Sequence, residues 1–226
     1  MRHLHAVVMA GGPGLRFWPW STAARPKHAL PLLSGGGTLF AQAVRRMRRL
    51  VPLDRLWLVT TAPQAGTLRA LAPEIRSDRV LVEPEARDTA AALAVSARRI
   101  LREDEDAVMA VVPADQALRG AEALRSQLRQ AAAQAATGDW LLVFGARPDC
   151  PSTRYGYIEM GPPLGRGPFR RVRSFREKPS EAIARRYLGT GRHLWNSGIF
   201  VWKARALLDA LARHAPDVHA ALARLG

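Results

Sequence analysis

A glycine-rich stretch near the amino end of the chain contains residue types that suit phosphate binding. Residues 10–19 read Ala-Gly-Gly-Pro-Gly-Leu-Arg-Phe-Trp-Pro, and Lys27 follows eight positions later. Glycine has no Cβ, so its backbone can approach an anion closely and turn N–H groups towards it. Arg16 and Lys27 add fixed positive charge for a polyphosphate. The stretch therefore predicts a phosphate-binding loop.

Two common nucleotide-binding motifs do not describe this loop. It lacks the Gly-Lys-Ser/Thr ending of a P-loop, and with it the hydroxyl that would hold Mg²⁺ there. It also lacks the third glycine of the dinucleotide fingerprint, and Arg16 and Trp18 stand where a helix should begin. For Gly-Gly-x-Gly alone, an ordinary tight turn between a strand and a helix remains the alternative.

Two acidic residues follow other apolar runs. Glu83 ends the run that begins at Val80, and its carboxylate can accept both hydrogen bonds from the N1–H and 2-amino groups of guanine. Asp115 follows the run Ala107–Val112, where a carboxylate could hold Mg²⁺ against nucleotide phosphates. The alternatives are a surface glutamate at a strand end and an aspartate that only forms a turn.

A third group of polar residues lies in the last third of the chain. Glu177 and Asn196 are suited to hydrogen-bonding sugar hydroxyls, and Lys178 offers a point charge for a sugar phosphate. Each of them alone is also compatible with simple turn chemistry.

Strand-like and helix-like patterns alternate along the first part of the chain. The predicted strands are Leu4–Met9, Leu56–Thr61, Val80–Val82, Ala107–Val112 and Leu141–Phe144. The predicted helices are Thr38–Leu50, Gln64–Leu71, Thr89–Leu101 and Ala121–Ala136. This alternation predicts an open α/β fold with a mostly parallel sheet and helices on both faces, in which ligands bind beyond the carboxyl ends of the strands. A smaller β-rich part follows, with short strands at Tyr155–Met160, Phe169–Phe175 and Gly198–Trp202 and a helix at Ser180–Leu188.

Composition excludes several classes of protein. No apolar run approaches the ~20 residues of a membrane span, and no export signal precedes the first strand, so we expect a cytoplasmic protein without membrane contact. The single cysteine, Cys150, excludes an internal disulfide. The net charge is +15, which alone would suggest nucleic-acid binding. However, the arginines, such as those at positions 45, 46, 48 and 49, are not interleaved with the aromatic residues of a base-stacking surface, and we expect them on solvated helix faces. We therefore expect no nucleic-acid partner.

The order of the motifs along the chain is more specific than any one of them. The sequence runs Gly-Gly-x-Gly-x-Arg with Pro-Lys, Glu-Pro-x-x-Arg-x-Thr-Ala, Pro-Ala-Asp, Gly-Ala-Arg-Pro with Tyr-Gly-Tyr-Ile, Phe-x-Glu-Lys-Pro and Trp-Asn-Ser-Gly-Ile-Phe. Over roughly residues 4–217 this series resembles the mannose-1-phosphate guanylyltransferases, also called GDP-mannose pyrophosphorylases, of the sugar nucleotidyltransferase superfamily.

The resemblance implies a single Rossmann-like nucleotidyltransferase domain of GT-A-like type over residues 1–226. Its residues 1–145 would bind the nucleotide, and its residues 146–226, apparently truncated at the carboxyl end, would bind the sugar phosphate. The implied reaction makes GDP-mannose and pyrophosphate from GTP and mannose 1-phosphate with Mg²⁺ or another divalent cation. The implied catalytic residues are Arg16, Lys27 and Asp115, with Asp115 as metal ligand; the nucleotide-binding residues are Gly11, Gly12, Gly14, Glu83 and Pro84; the sugar-phosphate-binding residues are Gly156, Glu177, Lys178 and Asn196.

The sequence departs from the family pattern at three motif positions and in length. His28, Asp88 and Gln116 stand where the family usually has Gln, Asn and His. Family members also continue well beyond residue 226, and that continuation carries a second metal-binding Asp. A non-catalytic sugar-nucleotide-binding paralogue and a nucleotidyltransferase for another sugar 1-phosphate therefore remain open. If the chain is short, an apolar helix face with Leu207, Leu208 and Leu211 is expected to be exposed, and a homodimer is possible.

Overall fold

The computed structural model of the chain describes residues 2–12, 18–22, 25–32, 37–83, 89–118 and 120–223. The strands are β1 (Leu4–Ala10), β2 (Leu56–Thr61), β3 (Val80–Glu83), β4 (Val108–Pro113), β5 (Leu141–Ala146), β6 (Tyr157–Pro163), β7 (Arg170–Arg176) and β8 (His193–Lys203). The helices are α1 (Leu39–Arg48), α2 (Ala62–Leu71), α3 (Thr89–Leu101), α4 (Ala121–Ala136), α5 (Glu181–Thr190), α6 (Ala204–His214) and α7 (Pro216–Ala223).

The described residues divide into two compact units. Unit 1 comprises Met1–Leu142 together with Phe200–Gly226, and unit 2 comprises Val143–Ile199. Strand β8 begins in unit 2 and ends in unit 1, so the carboxyl-terminal helices α6 and α7 belong with the first part of the chain. The functional division at residue 145 stays a prediction.

Unit 1 is built on a parallel sheet. Its strands lie in the order β3-β2-β1-β4, all parallel, and residues 200–203 of β8 pair antiparallel with β4. Every residue of β2 is buried, which is the reason why the central strands are continuous apolar runs instead of alternating ones. Within the part of the chain that is described, the predicted open, mostly parallel α/β sheet is confirmed.

The fifth predicted strand has a different neighbour from the one expected. The sequence pattern places β5 with the parallel strands, but β5 pairs with β8. The edge of β4 is already taken by the end of β8, which adds an antiparallel strand there. In unit 2, the start of β8 pairs antiparallel with β6, and β6 pairs antiparallel with β7.

Helix α6 covers the core of unit 1. Leu207 and Leu211 are buried in one apolar cluster with residues of α3, such as Ile100, and Leu208 packs against that cluster. The prediction of an exposed apolar face at these leucines is therefore wrong, because the amphipathic pattern of α6 is satisfied within the same unit. In the described part of the chain, no helix combines the length and the apolar character needed to cross a membrane.

Candidate functional site

Lys27 and Asp115 form an ion pair at the carboxyl end of the parallel sheet. Lys27 begins a short 3₁₀ turn, and Asp115 follows the last residue of β4 by two positions. Lys27 Nζ lies 2.5 Å from Asp115 Oδ2, and the two side chains are 30% and 34% exposed. The N–H of Ala114 donates to the carbonyl of Met9 (2.9 Å), which keeps the chain leaving β4 beside β1. Two of the three predicted catalytic residues are thus in contact and accessible to a ligand.

Gly11 and Glu83 lie against each other at the ends of β1 and β3. A Cβ placed on Gly11 would lie 3.3 Å from Glu83 Oε2, which is tighter than an ordinary contact, so an alanine there would displace the carboxylate. Burial raises the pKa of the Glu83 carboxyl above its usual range. Apart from Gly12 and its chain neighbours, no described residue places an atom within 4 Å of a Cβ on Gly12.

Three other predicted residues lie outside the described residues. These are Gly14 and Arg16 of the glycine-rich stretch and Pro84, which follows β3. Their predicted roles stay predictions.

His28 is buried beside the Lys27–Asp115 pair. Its side chain is 2% exposed, and its ring lies 6.5 Å from the ring of Phe40 in α1, centroid to centroid. Burial lowers the pKa of His28 to about 4; the charge of Asp115 opposes this effect and the charge of Lys27 adds to it. The imidazole is therefore neutral near pH 7. The sequence marks His28 only as a departure from a family pattern and does not indicate its burial.

Arg46 is a buried cation that contacts the loop after β4. Its Nη2 donates to the carbonyl oxygen of Gln116 at 3.5 Å. Among the described residues, Arg79 and Arg125 are also buried and each pairs with a glutamate, whereas Arg46 has no such ion pair. The prediction of a solvated position for Arg46 is wrong. The helical period gives the signal that was missed, because it places Arg46 on the face of α1 that also carries buried apolar residues.

In unit 2, the four predicted sugar-phosphate residues lie together. The backbone N–H of Asn196 donates to the carbonyl of Gly156 at 2.7 Å. A Cβ placed on Gly156 would collide with Glu177 Oε2 and lie 2.9 Å from the ring of Phe175. Lys178 Nζ lies 3.5 Å from Glu177 Oε1, and both of these side chains are more than half exposed. Gly156 is thus required for Glu177 to occupy its position.

The backbone at Lys178 is strained. Its φ is +44°, and it is the one non-glycine residue with positive φ among those described. Residues other than glycine, asparagine and aspartate rarely adopt this backbone conformation, and such strain clusters at functional sites. This strained residue directly follows Glu177, so the turn lies at the predicted sugar-phosphate residues.

Residues 5–226 match the nucleotidyl transferase family, so the chain belongs to that family. It is 39% identical over 224 residues to a mannose-1-phosphate guanylyltransferase from Sinorhizobium fredii, a match that covers 96% of this chain and 42% of the relative. Its identity to a mannose-1-phosphate guanylyltransferase from Salmonella typhimurium is 35% over 229 residues, covering 96% of this chain and 46% of the relative. The chain thus spans less than half the length of these curated relatives.

A solved structure is also similar to this chain. The crystal structure of a protein described as a mannose-1-phosphate geranyltransferase from Thermus thermophilus has a TM-score of 0.89 and 38% sequence identity. The match covers 99% of this chain and 64% of that chain. The similarity of sequence and fold thus extends over both units.

Proposed function

We propose that this chain catalyses nucleotidyl transfer to a sugar 1-phosphate, with GTP and mannose 1-phosphate as substrates and GDP-mannose and pyrophosphate as products. The observation that carries this proposal is the Lys27–Asp115 contact of 2.5 Å. It joins a cation for phosphate and a carboxylate for a divalent metal at the edge of the sheet where open α/β folds bind ligands. The names of the relatives support the choice of substrates.

In unit 1, the residues around β1 and β3 bind the nucleotide. The backbone of Gly11 and Gly12 approaches the phosphates, with Gly14 and Arg16 adding to this loop in the sequence. Glu83 recognises the base. Its raised pKa reflects the partial burial of the carboxylate, and the N1–H and 2-amino groups of guanine would supply two hydrogen-bond donors.

The residues present suit a divalent metal that arrives with the nucleotide. Mg²⁺ usually binds through one or two carboxylates together with substrate phosphates and water. Asp115 provides one partly exposed carboxylate. Within the described ranges no group of three or more His, Cys, Asp or Glu side chains is arranged to hold a metal alone. When bound at Asp115, Mg²⁺ would neutralise phosphate charge.

The transfer itself needs no covalent enzyme intermediate. A phosphate oxygen of mannose 1-phosphate attacks the α-phosphorus of GTP, the new P–O bond forms, and the bond to the leaving pyrophosphate breaks. Lys27 stabilises the charge that builds on the reacting phosphates. In unit 2, Glu177 and Asn196 hold sugar hydroxyls, Lys178 faces the sugar phosphate, and Gly156 leaves room for the Glu177 carboxylate.

The test is pyrophosphate release from GTP with and without mannose 1-phosphate, in Mg²⁺. We expect release that requires both substrates and falls by about 100-fold in kcat/KM in Asp115→Asn, because the charged oxygen ligand proposed for Mg²⁺ is replaced by a neutral amide. Asp139→Asn, at an exposed position of unit 1, is the matched control and should behave like the wild type.

Other outcomes distinguish the alternatives. Faster release with a different sugar 1-phosphate would identify a different substrate within the same reaction class. GTP binding by calorimetry without release would indicate a binding module. If the protein bound neither GTP nor GDP-mannose, both the transferase and the binding module would be excluded.

A further inference from the structure

Two buried side chains hold the carbonyl groups on either side of Gly11. The hydroxyl of Thr60 donates to the carbonyl oxygen of Ala10 at 3.0 Å. The Nε2 of Gln64 donates to the carbonyl oxygen of Gly12 at 3.2 Å. Thr60 is fully buried and Gln64 is 2% exposed, so water is excluded from the bond to Ala10 and from the donor of the bond to Gly12, although Gly12 itself is exposed.

Both side chains come from the same neighbouring segment. Thr60 lies in β2, directly opposite Ala10 in the parallel register, and Gln64 lies in the first turn of α2. Only the amide nitrogen of Gln64 can face a carbonyl oxygen, so the contact with Gly12 fixes the orientation of the amide. The opposite atom, Oε1, is buried and has no hydrogen-bond partner within the described chain.

That unpaired oxygen bears on the role of Gln64. A buried acceptor without a partner is unfavourable for folding, and an apolar side chain of similar length would avoid it. The bond to Gly12 offsets part of this cost, which an apolar side chain could not do.

The two bonds determine which backbone groups face a ligand. A trans peptide is planar, with its N–H pointing opposite to its C=O. Since the carbonyl of Ala10 points towards Thr60, the N–H of Gly11 points away from β2. The carbonyl oxygens of Ala10 and Gly12, which carry partial negative charge, are both held on the side of β2 and α2. An anion that approaches from the other side meets the Gly11 donor and not these acceptors.

We propose that Thr60 and Gln64 are positioning residues that orient the Gly11–Gly12 backbone for binding the nucleotide phosphates. This inference rests on the proposed function, in which that backbone meets the phosphates of GTP. Neither side chain touches the substrate, and both act through the peptide groups that they hold.

The first experiment is calorimetric binding of inorganic pyrophosphate to Gln64→Met, a change that keeps the length of the side chain and removes the donor. We expect about tenfold weaker binding, because the Gly12 carbonyl is then free to turn towards the anion. The KM for GTP should rise by a similar factor and the KM for mannose 1-phosphate by less than about twofold. Gln127→Met, at an exposed position of α4, is the matched control.

Thr60 provides an independent pair of variants. Thr60→Ser keeps the hydroxyl and should bind pyrophosphate like the wild type, whereas Thr60→Val keeps the shape, loses the donor and should bind it several-fold more weakly. This pair decides the question if Gln64→Met does not fold.

The results also separate this inference from the proposed reaction. Three results would overturn the positioning role. They are an unchanged pyrophosphate affinity in folded Gln64→Met, an equal rise of both KM values in that variant, and a wild-type protein that does not bind pyrophosphate. The proposed reaction could fail on its own: the protein would release no pyrophosphate from GTP and mannose 1-phosphate. If added pyrophosphate still bound in a way that depends on Gln64, the reaction would be refuted and the positioning role would stand.

Discussion

Replacing His28 by glutamine should remove part of the acid sensitivity of the folded chain. The pKa of His28 is about 4 in the folded state, against 6.5 as its ordinary value, because the ring is buried beside the Lys27–Asp115 pair. Each pH unit of difference is equivalent to about 1.4 kcal/mol, so the neutral ring accounts for about 3 kcal/mol of pH-dependent stability.

The sign follows from where the proton binds. Above pH 6.5, His28 is neutral in both states. As the pH falls from about 6.5 to about 4, the unfolded chain binds a proton that the folded chain does not, so the free energy of unfolding decreases. Below about pH 4, both states are protonated and the loss is complete.

Urea unfolding curves at pH 7, 6, 5 and 4, followed by tryptophan fluorescence, measure this effect. The wild type should lose about 3 kcal/mol more than His28→Gln between pH 7 and 4, because glutamine does not titrate. His219→Gln, at an exposed position of α7, is the control and should follow the wild type. Parallel pH profiles for the wild type and His28→Gln would refute the assigned burial of a neutral ring.

Two further predictions concern packing. Gly145→Ala should lower the free energy of unfolding by about 1–3 kcal/mol in urea titrations, because the new Cβ would lie 2.6 Å from Leu194 Cβ. A change below about 0.5 kcal/mol would contradict this and show that Leu194 moves aside freely. Leu211→Ala should lower the free energy of unfolding by about 2–5 kcal/mol, since Leu211 is part of the core of unit 1, and sedimentation should show no change in oligomeric state. A shift from dimer to monomer would instead place Leu211 in an interface between subunits.

The elements of the parallel sheet were predictable because their signal is local. The bounds predicted for the second strand, for Thr89–Leu101 and for Ala121–Ala136 agree with the structure. Long apolar runs and helical periodicity determine these elements without knowledge of their neighbours. Strand β8 shows the limit. The pattern predicts Gly198–Trp202, but the strand begins at His193, because His193, Leu194 and Trp195 pair with β6, a partner that the local pattern does not reveal.

The candidate site was predictable where chemistry and topology coincide. The carboxyl ends of parallel strands meet at one edge, and this rule brings Asp115 towards the first loop. Its pairing with Lys27, 88 positions away in the chain, needs the fold itself. The burial of His28 was not predictable from residue type, because histidine is intermediate between buried and exposed residues, whereas the helical period of α1 does indicate that of Arg46.

Three of the unpaired buried polar atoms of unit 1 adjoin the loops that the sequence motifs mark. His28 Nε2, Arg46 Nε and Gln64 Oε1 are buried without hydrogen-bond partners in the described part of the chain. Each of these residues adjoins a segment that the proposed function uses: the Lys27 turn, the loop after β4 and the Gly11–Gly12 backbone. Buried polar groups without partners oppose folding, so each of these atoms requires a partner that the described side chains do not supply. Arg79 Nε, just before β3, and Trp202 Nε1, opposite Met109 near the start of β4, are also buried without such partners, so these atoms agree with the proposed site but do not by themselves locate it.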